Sequence, residues 1–305
     1  MKQTTMMFTC LAAACGAWTA AAARAADPWA DQVISYAPGE GISNDFYSGQ
    51  PFSNPLVALG EPTRFTSPSD FGSVVTPLNS PFRADEVVSI GRGGHLTVRF
   101  DEPIVDHPLN PFGIDLLIFG NAFFTGSFFN PDFSFNPAGV ADGVDSEGGL
   151  IEVSADGVTF LPVPGEADGL FPTNAYADIV DPFTSTPGLV PADFTRPVDP
   201  SFNPVGKTFA EIVAGYNGSG GGVGIDISVT GLSSISYVRI SNPIGAAFIP
   251  EIDAFAAVAS IPEPATLILS MGAALILLGK TARGANVKRA TRSSPSASPN
   301  VASAG

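Results

Sequence analysis

The stretch LIEVSADGVTFLPV, residues 150–163, decides the fold class of this chain. Its two arms, residues 150–154 and 158–163, are rich in Ile, Val, Leu and Phe, a composition typical of β-strands. Asp156 and Gly157 stand between the arms, and an Asp-Gly pair tolerates the positive φ angles of a tight hairpin turn. The stretch therefore predicts an antiparallel β-hairpin.

Similar strand-like runs occur through the middle of the chain, bounded by Gly, Pro, Asn and Asp, and no long segment there shows a helical period. The other main runs are residues 95–100 (HLTVRF), 114–119 (IDLLIF), 225–229 (IDISV), 235–241 (ISYVRIS) and 252–258 (IDAFAAV). Seven such runs, in a chain with 33 Gly and 28 Pro, predict an all-β fold, specifically a jelly-roll-like β-sandwich.

Two segments between the runs are rich in phenylalanine. Residues 162–204 carry nine prolines, and the phenylalanines that recur among them predict a loop that packs on the sandwich instead of a free linker. A second group, Phe123, Phe124, Phe128, Phe129, Phe133 and Phe135, crowds a loop-like stretch. We expect these rings to cover the edge of the sandwich. Stacking on the faces of sugars is the alternative role for aromatic side chains on loops.

Charge is distributed unevenly along the chain. All 29 Asp and Glu lie between Asp27 and Glu263, whereas only seven of the 14 Lys and Arg do, which gives that stretch a net charge of −22. Such an acidic domain repels phosphate backbones and anionic membrane surfaces, so nucleic acid is excluded as a partner. The domain is predicted to span residues 26–260.

The first 25 residues have the pattern of a secretory signal peptide. Lys2 precedes an apolar run, and Ala23 and Ala25 place small residues at the −3 and −1 positions of a signal-peptidase site, which predicts cleavage after Ala25. Lipidation at Cys15 is the alternative, although Ala12 stands where a lipoprotein signal needs a Leu-type residue. The chain is therefore expected to be exported across the inner membrane.

The end of the chain, residues 261–305, combines three features in a fixed order. The motif Pro262-Glu263-Pro264 is followed by an uncharged apolar segment at 265–279 and a basic, Ser/Pro-rich end at 280–305. A 15-residue helix spans only about 22 Å, short of a ~30 Å hydrocarbon core. The basic end is expected to stay cytoplasmic, which places the acidic domain outside.

This order of features resembles the PEP-CTERM sorting signal of exported bacterial surface proteins. The runs VVSIGRGGHLTVRF (87–100), GIDLLIFGNAFF (113–124), IEVSADGVTF (151–160), GIDISVTGL (224–232) and EIDAFAAV (251–258) also resemble the ectodomain common in that family. The resemblance implies processing by a membrane-embedded exosortase, with signal peptidase as the earlier partner. It implies transient anchoring in the membrane, followed by display on the cell surface or in the extracellular matrix.

Calcium is the cofactor that the acidic loops favour, because it binds carboxylate and carbonyl oxygens. The candidate ligands are Asp142, Asp145 and Glu147 in one acidic loop, and Asp226, Glu251 and Asp253 in a second group. Solvated acids that only keep the protein soluble explain the same residues equally well.

Catalysis has little support in the sequence. His95 and His107 are the only histidines, no nucleophile motif accompanies them, and the predicted mature chain has no cysteine for a zinc cluster. We therefore predict a surface protein without catalytic residues, which binds calcium and an extracellular polysaccharide. A secreted polysaccharide-active hydrolase is the alternative, since such enzymes need only two suitably spaced carboxylates.

Overall fold

The computed structural model describes residues 27–67 and 71–259, and this part of the chain is mostly antiparallel β-structure. Its strands are β1 (Gln32–Ala37), β2 (Val88–Ser89), β3 (His95–Val105), β4 (Leu116–Gly120), β5 (Phe123–Gly126), β6 (Ala141–Asp145), β7 (Leu150–Ser154), β8 (Leu161–Val163), β9 (Val223–Ile225), β10 (Ser234–Ser241) and β11 (Glu251–Ala257). The all-β prediction is confirmed. The signal peptide, the sorting motif and the tail segment at 265–279 lie outside the described residues.

A five-stranded antiparallel sheet has the order β1-β3-β10-β7-β8. Its three central strands are in a register that places Val238 of β10 opposite both Val98 of β3 and Val153 of β7. The predicted hairpin forms its edge, because β7 pairs with β8 and Gly157 adopts a φ of 73° in the turn. The Asp156 carboxylate accepts hydrogen bonds from the N–H groups of the two residues after Gly157, which fixes the turn.

A four-stranded antiparallel sheet has the order β2-β11-β4-β9, and β11 pairs with β4 through Phe255 opposite Ile118. One cluster of buried side chains contains residues from both sheets, among them Val98, Val238, Ile118 and Phe255. Burial of each large apolar side chain contributes roughly 1.5–3 kcal/mol, so this shared cluster is a main source of stability.

The proline-rich segment packs against the rest of the protein, as predicted. Phe171, Tyr176 and Val198 belong to a second buried cluster together with Phe124 of β5, and the Tyr216 hydroxyl donates to the carbonyl of Pro172 over 2.8 Å. This packing carries Asp168 and its neighbours to the end of the four-stranded sheet at which β4 finishes and β11 begins.

Three local expectations were wrong. The acidic stretch 142–147 is not simply a loop, because β6 takes up residues as far as Asp145 and pairs with β5 in a two-stranded ribbon. A short helix, α1 (Phe209–Tyr216), also forms where no helix was predicted. The run 225–229, predicted to be a strand, is one only at Ile225, the last residue of β9, because a 3₁₀ helix covers Ile227–Thr230. Other 3₁₀ helices cover Pro55–Ala58 and Pro111–Gly113.

Within residues 27–67 and 71–259, no helix has both the length and the apolar character needed to span a bilayer.

Candidate functional site

Three carboxylates meet near the junction of β6, β11 and the proline-rich segment. Glu147 follows β6, Asp168 lies in the segment after β8, and Glu251 begins β11. One oxygen from each of these side chains lies within 4.8 Å of the others in the described part of the chain. Asp168 and Glu251 are buried and Glu147 is partly buried. We call these three residues the carboxylate trio.

Backbone hydrogen bonds hold Glu147 beside Asp168. The Asp168 N–H donates to the Gly148 carbonyl over 2.8 Å, and the Asp168 carbonyl accepts from the N–H groups of Glu147 and Gly148, each at 3.2 Å. Gly148 has a φ of 84°, a conformation that glycine adopts without strain. The chain reversal that brings two like charges together is therefore fixed by the main chain.

The Asp168 carboxylate is anchored by backbone donors just after β4 and at the start of β11. Oδ1 accepts from the N–H of Ala122 at 2.9 Å, and Oδ2 accepts from the N–H of Glu251 at 3.3 Å. Gly120 lies against this carboxylate, and a Cβ atom at position 120 would overlap Asp168 Oδ1. Position 120 therefore requires glycine because the Asp168 side chain packs directly against its backbone, and not because the chain turns there.

Glu251 is held by two serine hydroxyls. Its Oε1 accepts from Ser43 Oγ at 2.5 Å and from Ser89 Oγ at 2.8 Å. Ser89 stands opposite Glu251 in the pairing of β2 with β11, so the register of the sheet places the donor. These bonds leave the second oxygen, Oε2, free of both serines.

Burial changes the protonation of two members of the trio. It raises the pKa of Asp168 to about 8, and the charge of Glu251 adds to the rise. Burial also raises the pKa of Glu147 to about 10, and the hydrogen bond with Glu251 and the nearby carboxylate charges add to that rise. Because burial and like-charge repulsion both favour the neutral form, Glu147 and Asp168 retain protons at neutral pH, and a bound cation would take their place.

The trio opens on a cavity of about 690 Å³, to which Glu147 and Glu251 contribute lining. Asp145, Ser43 and Asn121 add further polar groups. Most of the remaining lining is aromatic, since nine phenylalanines among the described residues line the cavity. The site therefore combines a carboxylate end with an aromatic wall.

The six predicted metal ligands are placed in several different environments. Glu147 and Glu251, which the sequence assigned to separate groups, come together, and Asp145 lines the same cavity. Asp142 accepts a hydrogen bond from the Thr125 hydroxyl at 2.8 Å on the β5–β6 ribbon. Asp226 caps the 3₁₀ helix Ile227–Thr230 by accepting from the N–H of Ser228 at 2.9 Å.

Asp253, the sixth predicted ligand, lies in a second buried acidic pair. Its two oxygens accept from the N–H and the hydroxyl of Thr63 at 2.9 and 2.8 Å. Burial raises the pKa of Asp253 to about 7, and the charge of Glu86 adds to the rise. The pKa of Glu86 is itself raised to about 7, mainly by burial.

No motif or local pattern pointed to Asp168. Its role depends on hydrogen bonds to Gly148, Ala122 and Glu251, which are distant in sequence and meet only in the folded sheet.

No protein-family model matches this chain, and no curated protein matches it. The resemblance to PEP-CTERM surface proteins therefore stays a prediction from the motifs themselves.

Proposed function

We propose that this chain is an exported, exosortase-sorted protein of the cell surface or extracellular matrix, and that its β-rich part binds a ligand without catalysing a reaction. The observation that carries the binding function is the carboxylate trio at the edge of a phenylalanine-lined cavity of about 690 Å³. Mostly apolar cavities of about 300–1,000 Å³ with a few convergent polar groups are typical of small-ligand sites.

We also propose that the five-stranded and four-stranded sheets stack as a jelly-roll-like β-sandwich. The shared buried cluster supports this arrangement, because it contains side chains of β3 and β10 from one sheet and of β4 and β11 from the other. In this arrangement the trio lies at the start of β11, next to the chain that follows β6 and the proline-rich segment.

Calcium stays a prediction from the sequence. The trio supplies the carboxylate oxygens that calcium favours, but this ion takes about 6–8 oxygen ligands. Both Asp168 oxygens already accept backbone hydrogen bonds, and Glu251 Oε1 accepts two more from serines. If calcium binds here, EDTA should lower the melting temperature and added calcium should restore it.

A polysaccharide hydrolase is the second candidate, because Glu147 lines the cavity and its raised pKa, about 10, would keep it protonated as a general acid needs. Glycosidases require a second carboxylate about 5–10 Å away across the sugar. The trio supports binding better, since its oxygens lie within 4.8 Å of one another and Asp168 is enclosed by backbone donors.

A thermal-shift screen with calcium, glycans and small organic molecules tests the proposed function. At least one of these ligand classes should raise the melting temperature of the wild-type protein. The increase should be smaller for Phe129→Ala, which loses a ring of the cavity wall. Phe133→Ala is the control, because Phe133 is exposed and does not line the cavity. Release of sugars from a polysaccharide panel would instead support the hydrolase and contradict the binding function.

A further inference from the structure

The mouth of the cavity exposes aromatic rings to solvent. Among its lining residues, Phe46 is 84% exposed, Phe71 48%, Phe129 42% and Phe123 37%. Phe129 stacks on Phe183 with ring centroids 4.8 Å apart, so part of the wall is ordered by contacts between its own rings. Neighbouring exposed apolar side chains of this kind usually mark a site that binds a partner or a ligand.

The ionisable side chains among the described residues that line the same cavity are all acidic. Asp145, Glu147 and Glu251 contribute carboxylates, and none of the described lining residues is Lys, Arg or His. Glu251 Oε1 is taken by two serines, but neither serine engages Oε2. The cavity therefore places carboxyl groups beside aromatic faces without a basic side chain among its described lining residues, so a bound cation would be the partner that replaces the protons of the trio.

We propose that the ligand of this cavity is a small organic ammonium, with its charged group on Glu147 and Glu251 and its apolar body against the phenylalanine rings. This inference rests on the proposed function, because it names the ligand of the same site. An ammonium group has three N–H donors, which suit several carboxylate oxygens around one point. Phenylalanine faces also attract cations directly and cover an apolar body.

Charge complementarity favours an organic ammonium over calcium and polysaccharide, the two ligands that the sequence predicted. A neutral sugar would gain nothing from the charge that the carboxyl groups acquire when a cation replaces their protons. A calcium ion would match the charge but would gain no oxygen ligands from the aromatic wall. A single molecule that carries both a cation and an apolar body fits both parts of the cavity.

Isothermal titration calorimetry on the purified full-length protein in detergent-free buffer tests the proposal. The probes are phenethylammonium, its neutral counterpart 2-phenylethanol, and calcium chloride alone. We expect phenethylammonium to bind at least about tenfold more tightly than the alcohol, because only the cation pairs with the carboxylates.

Variants locate the binding site. Glu147→Gln and Glu251→Gln should each weaken the binding of phenethylammonium by roughly tenfold or more. The affinity for 2-phenylethanol should stay the same. If Glu251→Gln does not fold, because position 251 is buried, Glu147→Gln alone still tests the proposal. Phe46→Ala should weaken both organic probes. Glu102→Gln, on an exposed glutamate of β3, and Phe133→Ala, as exposed as Phe46 at 84%, should change nothing.

Equal affinity for the ammonium and the alcohol would overturn the proposal and leave the cavity as a binding site of other specificity. Binding of calcium, abolished in Glu147→Gln, without binding of phenethylammonium would overturn it in favour of a metal site. Heat from none of the three probes would overturn it too; a response to another ligand in the thermal-shift screen would then preserve the proposed function, and no response there would remove both.

Discussion

Gly120 controls the geometry of the trio at the scale of one residue. Its missing Cβ leaves the space that Asp168 Oδ1 occupies, and the Glu251 carbonyl lies close to the same point. Gly120→Ala should therefore displace a carboxylate, destabilise the protein by about 1–3 kcal/mol and weaken ligand binding. Chemical denaturation and calorimetry measure both effects. Gly245→Ala is the matched control, since nothing lies within 4 Å of a Cβ at that position. Equal stability of the two variants would contradict this role of Gly120.

The buried pair of Glu86 and Asp253 gives a pH dependence with a definite sign. Both pKa values are raised to about 7 in the folded protein, above the ordinary values of 4.5 and 3.8. The folded state therefore holds protons that the unfolded state releases, so the stability that this pair contributes is fully present below about pH 4 and is lost as pH rises through 7. Glu147 and Asp168 act in the same direction.

We expect the free energy of unfolding to decrease from pH 5 to pH 8, by an amount on the order of a few kcal/mol. Asp253→Asn should make the decrease smaller, because the amide does not ionise. Urea denaturation at several pH values measures the slope. A stability that rises over this interval would show that these acids are ionised in the folded protein.

At the scale of elements, helix α1 depends on its first turn. The Thr208 hydroxyl accepts from the N–H of Glu211, and the Glu211 carboxylate accepts from the N–H of Thr208 at 2.8 Å. Thr208→Ala should cost about 1 kcal/mol in the free energy of unfolding, because it removes this cap. Thr159→Ala, at an exposed threonine of the hairpin turn, is the control. An equal cost in both variants would mean that the cap contributes nothing specific.

The same elements show how far sequence reasoning reaches. The hairpin of β7 and β8 was predictable because the Asp156-Gly157 turn and its flanking strands are local. Helix α1 was missed although its sequence carries a capping box. Its eight residues form only about two turns, too few for a helical repeat to be recognised in the sequence. The strand within 142–147 was missed because pairing with β5, and not local composition, decides it.

At the scale of the whole molecule, the candidate site was only partly predictable. Glu147 and Glu251 could be named from their acidic surroundings, but their distance in sequence hid that they share one site. Asp168 enters that site through a long segment whose path depends on packing of Phe171 and Tyr176 in the second buried cluster. Sequence patterns report local structure, whereas this site is formed by long-range contacts.

The proposed export and sorting can also be tested on the whole molecule. Replacement of Pro262-Glu263-Pro264 by three alanines should leave unprocessed precursor in the membrane fraction, because the proposed exosortase would no longer recognise the tail. Mass spectrometry of both termini measures the outcome and should show an N-terminus at Ala26 in either case. Pro295→Ala with Pro299→Ala is the control in the distal tail. Normal maturation of the triple-alanine variant would remove the sorting hypothesis.

A crystal structure of the protein with phenethylammonium would show directly what the cavity binds. We expect the ammonium nitrogen within about 3 Å of a Glu147 or Glu251 oxygen, with the phenyl ring against Phe46, Phe123 or Phe129. An empty cavity at saturating ligand concentration, or a ligand bound elsewhere, would refute the proposed ammonium site.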